Sequence, residues 1–248
     1  MSEELKQVLI EIKKLKEEMR ELKGISENTL PTYSFSNITH KILKELVTIK
    51  KNLDDTIFDK WFLNNISIKE ETTQLFKDLI EDNYRLIDSY NEEDLKVNFI
   101  IPILNKVHFK SYENEFRDFY ELPLKYETEK FIFNGTTDFL VSKGLIDSEK
   151  PYFFIQEFKK GQQKAYPESQ LLAELIAGVE LNDWKMIKGA YIVGAIWRFV
   201  ILEKLDTDKY QYFVSKNFDA TRVDDLETIY KNLLFIKQEI IEKIEAGE

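Results

Sequence analysis

The chain has 248 residues, 43% of them hydrophobic, and its 18 Phe and 12 Tyr against 8 Gly and 5 Pro exclude intrinsic disorder and collagen-like structure. It contains no cysteine, which excludes disulfides, thiolate metal sites and a cysteine nucleophile, and two histidines are too few for a multi-histidine zinc centre, so any metal must sit on carboxylates. A net charge of −10 excludes binding of nucleic acid by a broad basic surface, though not by a small basic groove or through bound metal ions.

Leu5, Val8, Ile12, Leu15, Met19 and Leu22 recur alternately three and four residues apart with Glu and Lys between them, which predicts a coiled-coil helix over residues 1–23. About three heptads do not stand alone, so this helix is expected to pair with a copy of itself, giving a homodimer, or else to lie along the rest of the protein. The opening MSEELKQVLIEIKKLKEE lacks the apolar core of a signal peptide. The longest near-apolar stretch, 189–202, is too short to span a bilayer and contains Arg198, so a soluble, cytoplasmic protein without membrane contact is expected.

Gly24 ends the first helix, and the following stretch to residue 37, with Pro31, reads as a connector. Apolar stripes then predict helices over about 38–53, 69–90 and 92–107, making the first ninety residues mostly helical. Short alternating runs follow, predicting strands over about 115–127, 130–141, 150–160, 189–203 and 209–217, with Asn134-Gly135 and Lys143-Gly144 as turn-formers. A helix over 168–179 interrupts them, and an amphipathic helix over about 223–244 closes the chain. The pattern implies a mixed α/β core, with residues 1–23 as coiled coil, 24–90 as linker and helical region, and 91–248 as the domain that carries chemistry.

The candidate chemistry lies in PYFFIQEFKKG, residues 151–161. In a strand, Phe153, Ile155, Glu157 and Lys159 share one face, so a carboxylate and an amine follow two apolar residues into what reads as an interior strand. A charge buried there must be paired or hold a metal. In the plain alternative, the strand emerges into solvent at Gln156 and leaves Glu157 and Lys159 as surface charges. The acid-x-Lys triplet also occurs at Glu11-Ile12-Lys13, Glu21-Leu22-Lys23 and Asp94-Leu95-Lys96, on predicted helices where it reads as surface charge.

Asp138, between a turn and the apolar run Phe139-Leu140-Val141, precedes Glu157 by nineteen residues. A hairpin through Lys143-Gly144 would set the two acids side by side, where they repel unless they share a proton or a cation. Hard oxygen ligands of this kind suit Mg²⁺, with Mn²⁺ as a substitute. Asp138 also reads as a turn-capping aspartate. Lys160 and Lys164, in a short basic run without an acid, are candidate nucleic-acid contacts or parts of a solvated turn. His40 and His108 have no orienting partner beside them and read as non-catalytic, and Trp184 and Trp197 read as core.

Thr137-Asp138 followed by Glu157-Phe158-Lys159 resembles the PD-(D/E)xK nuclease superfamily, with Thr137 in place of the signature proline. Asn91–Leu104 resembles the first helix of the nuclease domain in type I restriction motor subunits, and Gln170 begins the helix after the acid-x-Lys strand, where many of these nucleases carry a Gln. The resemblance spans about residues 91–217 and implies a restriction-endonuclease-like mixed β-sheet flanked by helices. It implies a Mg²⁺-dependent endonuclease, acting on DNA in preference to RNA, with a host-defence role suggested by restriction systems. Asp138, Glu157 and the Phe158 carbonyl would bind metal, Glu92 would bind a second metal, Lys159 would orient or deprotonate the attacking water, and Gln170 would position that water or Lys159. Helical spacing does not choose between Glu92 and Glu93; the register of the resemblance favours Glu92. The alternative is a catalytically silent nuclease-like module for interaction or regulation, assembled through the coiled coil.

Overall fold

The computed structural model describes Glu11, residues 30–160 and residues 167–247. Apart from Glu11, the predicted coiled coil lies outside the described residues, as does Lys164. The chain begins with β1 (Thr32–Ser34), α1 (His40–Leu46), β2 (Thr48–Lys51), α2 (Asp59–Phe62), α3 (Glu70–Asn83) and α4 (Glu92–Leu95). A π-helical turn (Lys96–Ile100) then leads into α5 (Ile101–Val107), β3 (Lys110–Ser111), β4 (Phe116–Glu127), β5 (Ile132–Lys143), β6 (Glu149–Lys159) and α6 (Pro167–Leu181). Last come β7 (Met186–Val193), β8 (Ile196–Asp206), β9 (Lys209–Val214), β10 (Phe218–Asp219) and α7 (Val223–Ala246).

The described strands form one ten-stranded sheet in the order β2-β9-β8-β7-β6-β5-β4-β3, with β1 paired to β5 and β10 to β8. Its neighbours run antiparallel except at β1–β5, β2–β9 and β6–β7. The architecture is therefore mixed α/β, a large and mostly antiparallel open sheet flanked by helices.

Each face of the sheet buries its own core. On one face Phe139, Phe154, Phe158 and Phe199 pack against Phe76, Leu95, Phe99, Ile103, Leu233 and Ile236 from α3, α4, the π turn, α5 and α7. On the other, Leu140, Ile155, Val200 and Leu202 pack against α6 and α1. α6 is buried on nearly every side, so QLLAELIAGV is apolar all round and shows no polar stripe. Gly189 lets α6 lie close to the sheet, because a Cβ there would stand 2.9 Å from Leu175 Cδ2 and 2.7 Å from the Ile155 carbonyl oxygen.

Several expected elements differ. The helix expected over 38–53 stops at Leu46, and the β-branched run Val47-Thr48-Ile49 enters β2, which pairs in parallel with β9. The helix expected to reach Tyr90 ends at Asn83, whose side chain donates to the Leu79 carbonyl and accepts from the Tyr90 hydroxyl, holding the chain in turns. Residues 30–90 are consequently less helical than the apolar stripes suggest. Asn134-Gly135 is no turn: it runs inside β5 opposite Lys125 and Leu124. Its glycine serves a close contact, since a Cβ there would lie 2.8 Å from Phe35 Cδ2. The turn before β5 is built instead by Thr128, whose hydroxyl accepts from the amides of Lys130 and Phe131.

One connection positions the site. β6 and β7 are parallel, so the chain between them must cross the sheet, and α6 makes that crossing. The carboxyl end of β6 and the start of α6 thereby come to the same end of the sheet, the usual place for ligands beside parallel strands.

Candidate functional site at the carboxyl end of β6

Phe139 pairs with Gln156 and Leu140 with Ile155, so Asp138 and Glu157 sit on adjacent strands and on the face covered by α6. β6 is an interior strand, flanked by β5 and β7, and Gln156 and Glu157 are both fully buried. The plain alternative of a strand emerging into solvent at Gln156 is thus overturned. Asp138 lies within β5 rather than capping a turn, and its Oδ2 accepts the Phe158 amide at 2.7 Å.

The Lys159 ammonium is the centre of the site. It stands 2.6 Å from Glu157 Oε1, 3.5 Å from Glu92 Oε1 and 3.9 Å from Asp138 Oδ2, and donates to the Phe158 carbonyl at 2.9 Å. The contact with Glu157 Oε1 is a close ion pair, and Glu157 Oε2 has no hydrogen-bond partner among the described residues. Burial lowers the lysine's affinity for its proton, but the Glu157 charge, followed by Asp138 and Glu92, outweighs it and raises the pKa above the ordinary lysine range. Glu157 is pushed up to about 8, first by burial and then by Asp138, against the pull of Lys159. Of the two helix acids, Glu92 lies 3.5 Å from Lys159 and Glu93 lies 3.7 Å from Lys96.

Lys96 is a second lysine at the site, and sequence reasoning placed it on the surface within Asp94-Leu95-Lys96. It is instead 7% exposed. Its ammonium lies 2.6 Å from Glu121 Oε1 and 3.7 Å from Asp138 Oδ1, so Asp138 is flanked by two cations on its two oxygens. The placement follows from two backbone irregularities. Lys96 opens the π turn, and Glu121 takes a left-handed φ of 49° in the middle of β4. Departures of this kind cost about 1–3 kcal/mol each and concentrate at functional sites. Burial lowers the Lys96 pKa, yet the hydrogen bond Lys96 donates to Glu121, with the charges of Asp138, Glu121 and Glu93, produces a net rise.

α6 supplies the other wall. Gln170 is buried and its Nε2 donates to Glu174 Oε1 at 3.2 Å, one helical turn on. Glu174 is fully buried, and its Oε2 and the Gln170 Oε1 lack a hydrogen-bond partner. Burial first, and then the charge of Glu157, raises the Glu174 pKa well above the usual carboxylate range. Lys160 is exposed at the end of β6.

Among the described residues no three Asp, Glu or His side chains form a ready-made metal cage. What converges is two inner carboxylates, the half-exposed Glu92 and a backbone carbonyl, all around one ammonium. The ligand atoms are all oxygen, and Glu157 Oε2, without a hydrogen-bond partner among the described residues, suits a hard divalent cation. Compared with known proteins, the chain matches no family model and no curated protein.

Two outcomes follow from this electrostatic arrangement. The folded chain holds the Glu157 proton up to about pH 8, whereas the unfolded carboxylate releases it near 4.5, so the stability linked to this proton is complete below the lower value and is lost as pH rises to the upper. In EDTA the parent should therefore lose more melting temperature across that window than Glu157→Gln, which has no proton to lose; parallel pH profiles from thermal melts would contradict the assignment. Lys96→Met should lower stability by about 2 kcal/mol in urea unfolding, because Asp138 keeps its burial and loses a cation, while the exposure of Glu121 limits the loss through solvent screening.

Proposed function

We propose that the chain is a metal-dependent nuclease that hydrolyses phosphodiester bonds of nucleic acid, with DNA favoured over RNA. One observation carries the reading: oxygens of Asp138, Glu157, Phe158 and Glu92, the donor set implied by the nuclease resemblance, all lie within 3.9 Å of a single cationic group, Lys159. An ammonium and a divalent cation are favoured by the same oxygens, so the arrangement suits either.

Asp138, Glu157 and the Phe158 carbonyl would hold Mg²⁺ or Mn²⁺, with Glu92 serving a second cation position. Such a cation, when bound, supplies Lewis-acid polarisation of a phosphoryl oxygen. The Phe158 amide fixes one Asp138 oxygen, and Lys96 attends the other, so the carboxylate is oriented before any ligand arrives. Lys159 orients the attacking water and offsets the charge that grows on the phosphate oxygens. Gln170 holds Glu174 against the floor of the site. The product ends implied by the resemblance are a 5′-phosphate and a 3′-hydroxyl.

A second reading is favoured by the same ammonium and by the absence of a three-carboxylate cage among the described residues. In it Lys159 is the permanent counter-ion and the fold serves as an interaction or regulatory module. Incubation with labelled single- and double-stranded DNA and RNA in Mg²⁺, Mn²⁺ or EDTA separates the two. The nuclease reading expects metal-dependent cleavage that falls at least about 100-fold in Asp138→Ala and in Lys159→Ala. Absence of cleavage together with absence of Mn²⁺ stabilisation in thermal melts supports the module.

The heptad pattern of residues 1–23 supports a homodimer carrying two sites. Deleting those residues should halve the mass measured by light scattering, and an unchanged mass would remove the pairing role.

A further inference from the structure

The sheet row that holds Glu157 continues beyond the acids. Glu157 pairs with Tyr191 on β7, and Tyr191 pairs with Arg198 on β8, so the three side chains share the face that carries the site. Two strand spacings separate Glu157 from Arg198, about 10 Å, within reach of a neighbouring phosphate of the same nucleic-acid strand.

Arg198 bonds only neutral groups, as Arg85 and Arg117 also do. Its Nη1 donates to the Tyr191 hydroxyl at 2.9 Å and its Nε donates to Asn217 Oδ1 at 2.5 Å, and neither acceptor is a carboxylate. The Tyr191 hydroxyl in turn donates to Glu168 Oε2 at 3.1 Å, which fixes the hydroxyl and leaves its lone pairs toward the guanidinium. Nη2 donates to none of the described residues. In a chain with 45 acids and 35 bases, this half-buried guanidinium is oriented by neutral groups and keeps part of its planar donor fork open. Such a fork matches the geometry of a phosphodiester.

We infer that Arg198, steadied by Tyr191 and Asn217, is a phosphate subsite that grips a non-scissile phosphodiester of the strand being cut. The inference rests on the nuclease reading. Along the row the groups change from two buried acids, through a buried tyrosine, to a half-buried cation, so a polyanion would meet a positive group beside the reactive centre. The contact is made equally in the ground and transition states, so its loss belongs in KM and not in kcat.

The test is steady-state cleavage of the preferred labelled oligonucleotide by the full chain, with KM and kcat measured between about 50 and 200 mM salt. Arg198→Gln should raise KM about tenfold, leave kcat within about twofold and reduce the slope of log KM against log salt by about one. Arg198→Lys should retain the slope, and Lys130→Gln, a charge loss at an exposed lysine paired with Asp208, should leave KM and slope at parental values. Should Arg198→Gln fail to fold, Tyr191→Phe removes the hydroxyl that steadies the guanidinium and should raise KM several-fold. Parental KM and salt slope in Arg198→Gln, or parental KM in Tyr191→Phe if that variant is needed, overturn the subsite while the nuclease reading stands. A parent that cleaves no substrate in either metal overturns both.

Discussion

A carboxylate taken wholly out of water must be neutralised, and Glu157 is the group on which this constraint falls hardest. Its position is imposed by topology. β6 is locked between an antiparallel and a parallel neighbour, and α6 covers the face to which Glu157 points. Three solutions are open to such a group: protonation, an internal cation or an external one. The fold keeps all three within reach, through a raised pKa, through Lys159 on Oε1 and through an Oε2 that has no hydrogen-bond partner among the described residues. Placing Asp138 and Glu174 in the same electrostatic field sharpens the conflict, since each added acid makes a lasting positive charge more favourable.

The same conflict explains the irregular backbone around the site. A regular helix and a regular strand would carry Lys96 and Glu121 past each other. The π turn and the left-handed residue in β4 bring them to 2.6 Å and hold a second ammonium at Asp138. The hydrophobic cores on both faces supply the stability against which this local strain is held. α6 belongs to both tasks, since it fills one core with Leu171, Leu175 and Ile176 and faces the acids with Gln170 and Glu174.

Much of this was legible in the sequence, and for a physical reason. Asp138, Glu157 and Lys159 announce themselves as charges that break an apolar run, and a hairpin between them follows from Lys143-Gly144, where Gly144 does take a positive φ of 91°. The strands after residue 115 and the last helix follow from periodicity, which burial enforces. Lys96 was illegible because its burial depends on a π turn, and no spacing rule distinguishes that turn from an ordinary helix. Glu174 breaks an apolar run as Glu157 does, but a helix buried on all sides has no polar face against which the acid can be judged misplaced. β2 reads as helix because its one apolar residue, Ile49, continues the stripe of Ile42 and Leu46, and pairing with the edge of β9 decides for strand.

The π turn also sets how easily the site can be separated from the fold. Each residue advances a helix by about 100°, so removing one residue from Lys96–Ile100 would restore ordinary winding and swing Glu92 and Lys96 round the axis, away from the acids. Ile103, Leu104 and Val107 lie beyond the turn and would keep their places in the core. Chemistry and architecture are thus coupled here through one extra backbone unit. A one-residue deletion in the turn would therefore displace Glu92 and Lys96 and, with them, Leu95 from its place in the core, while the packing built beyond the turn is kept.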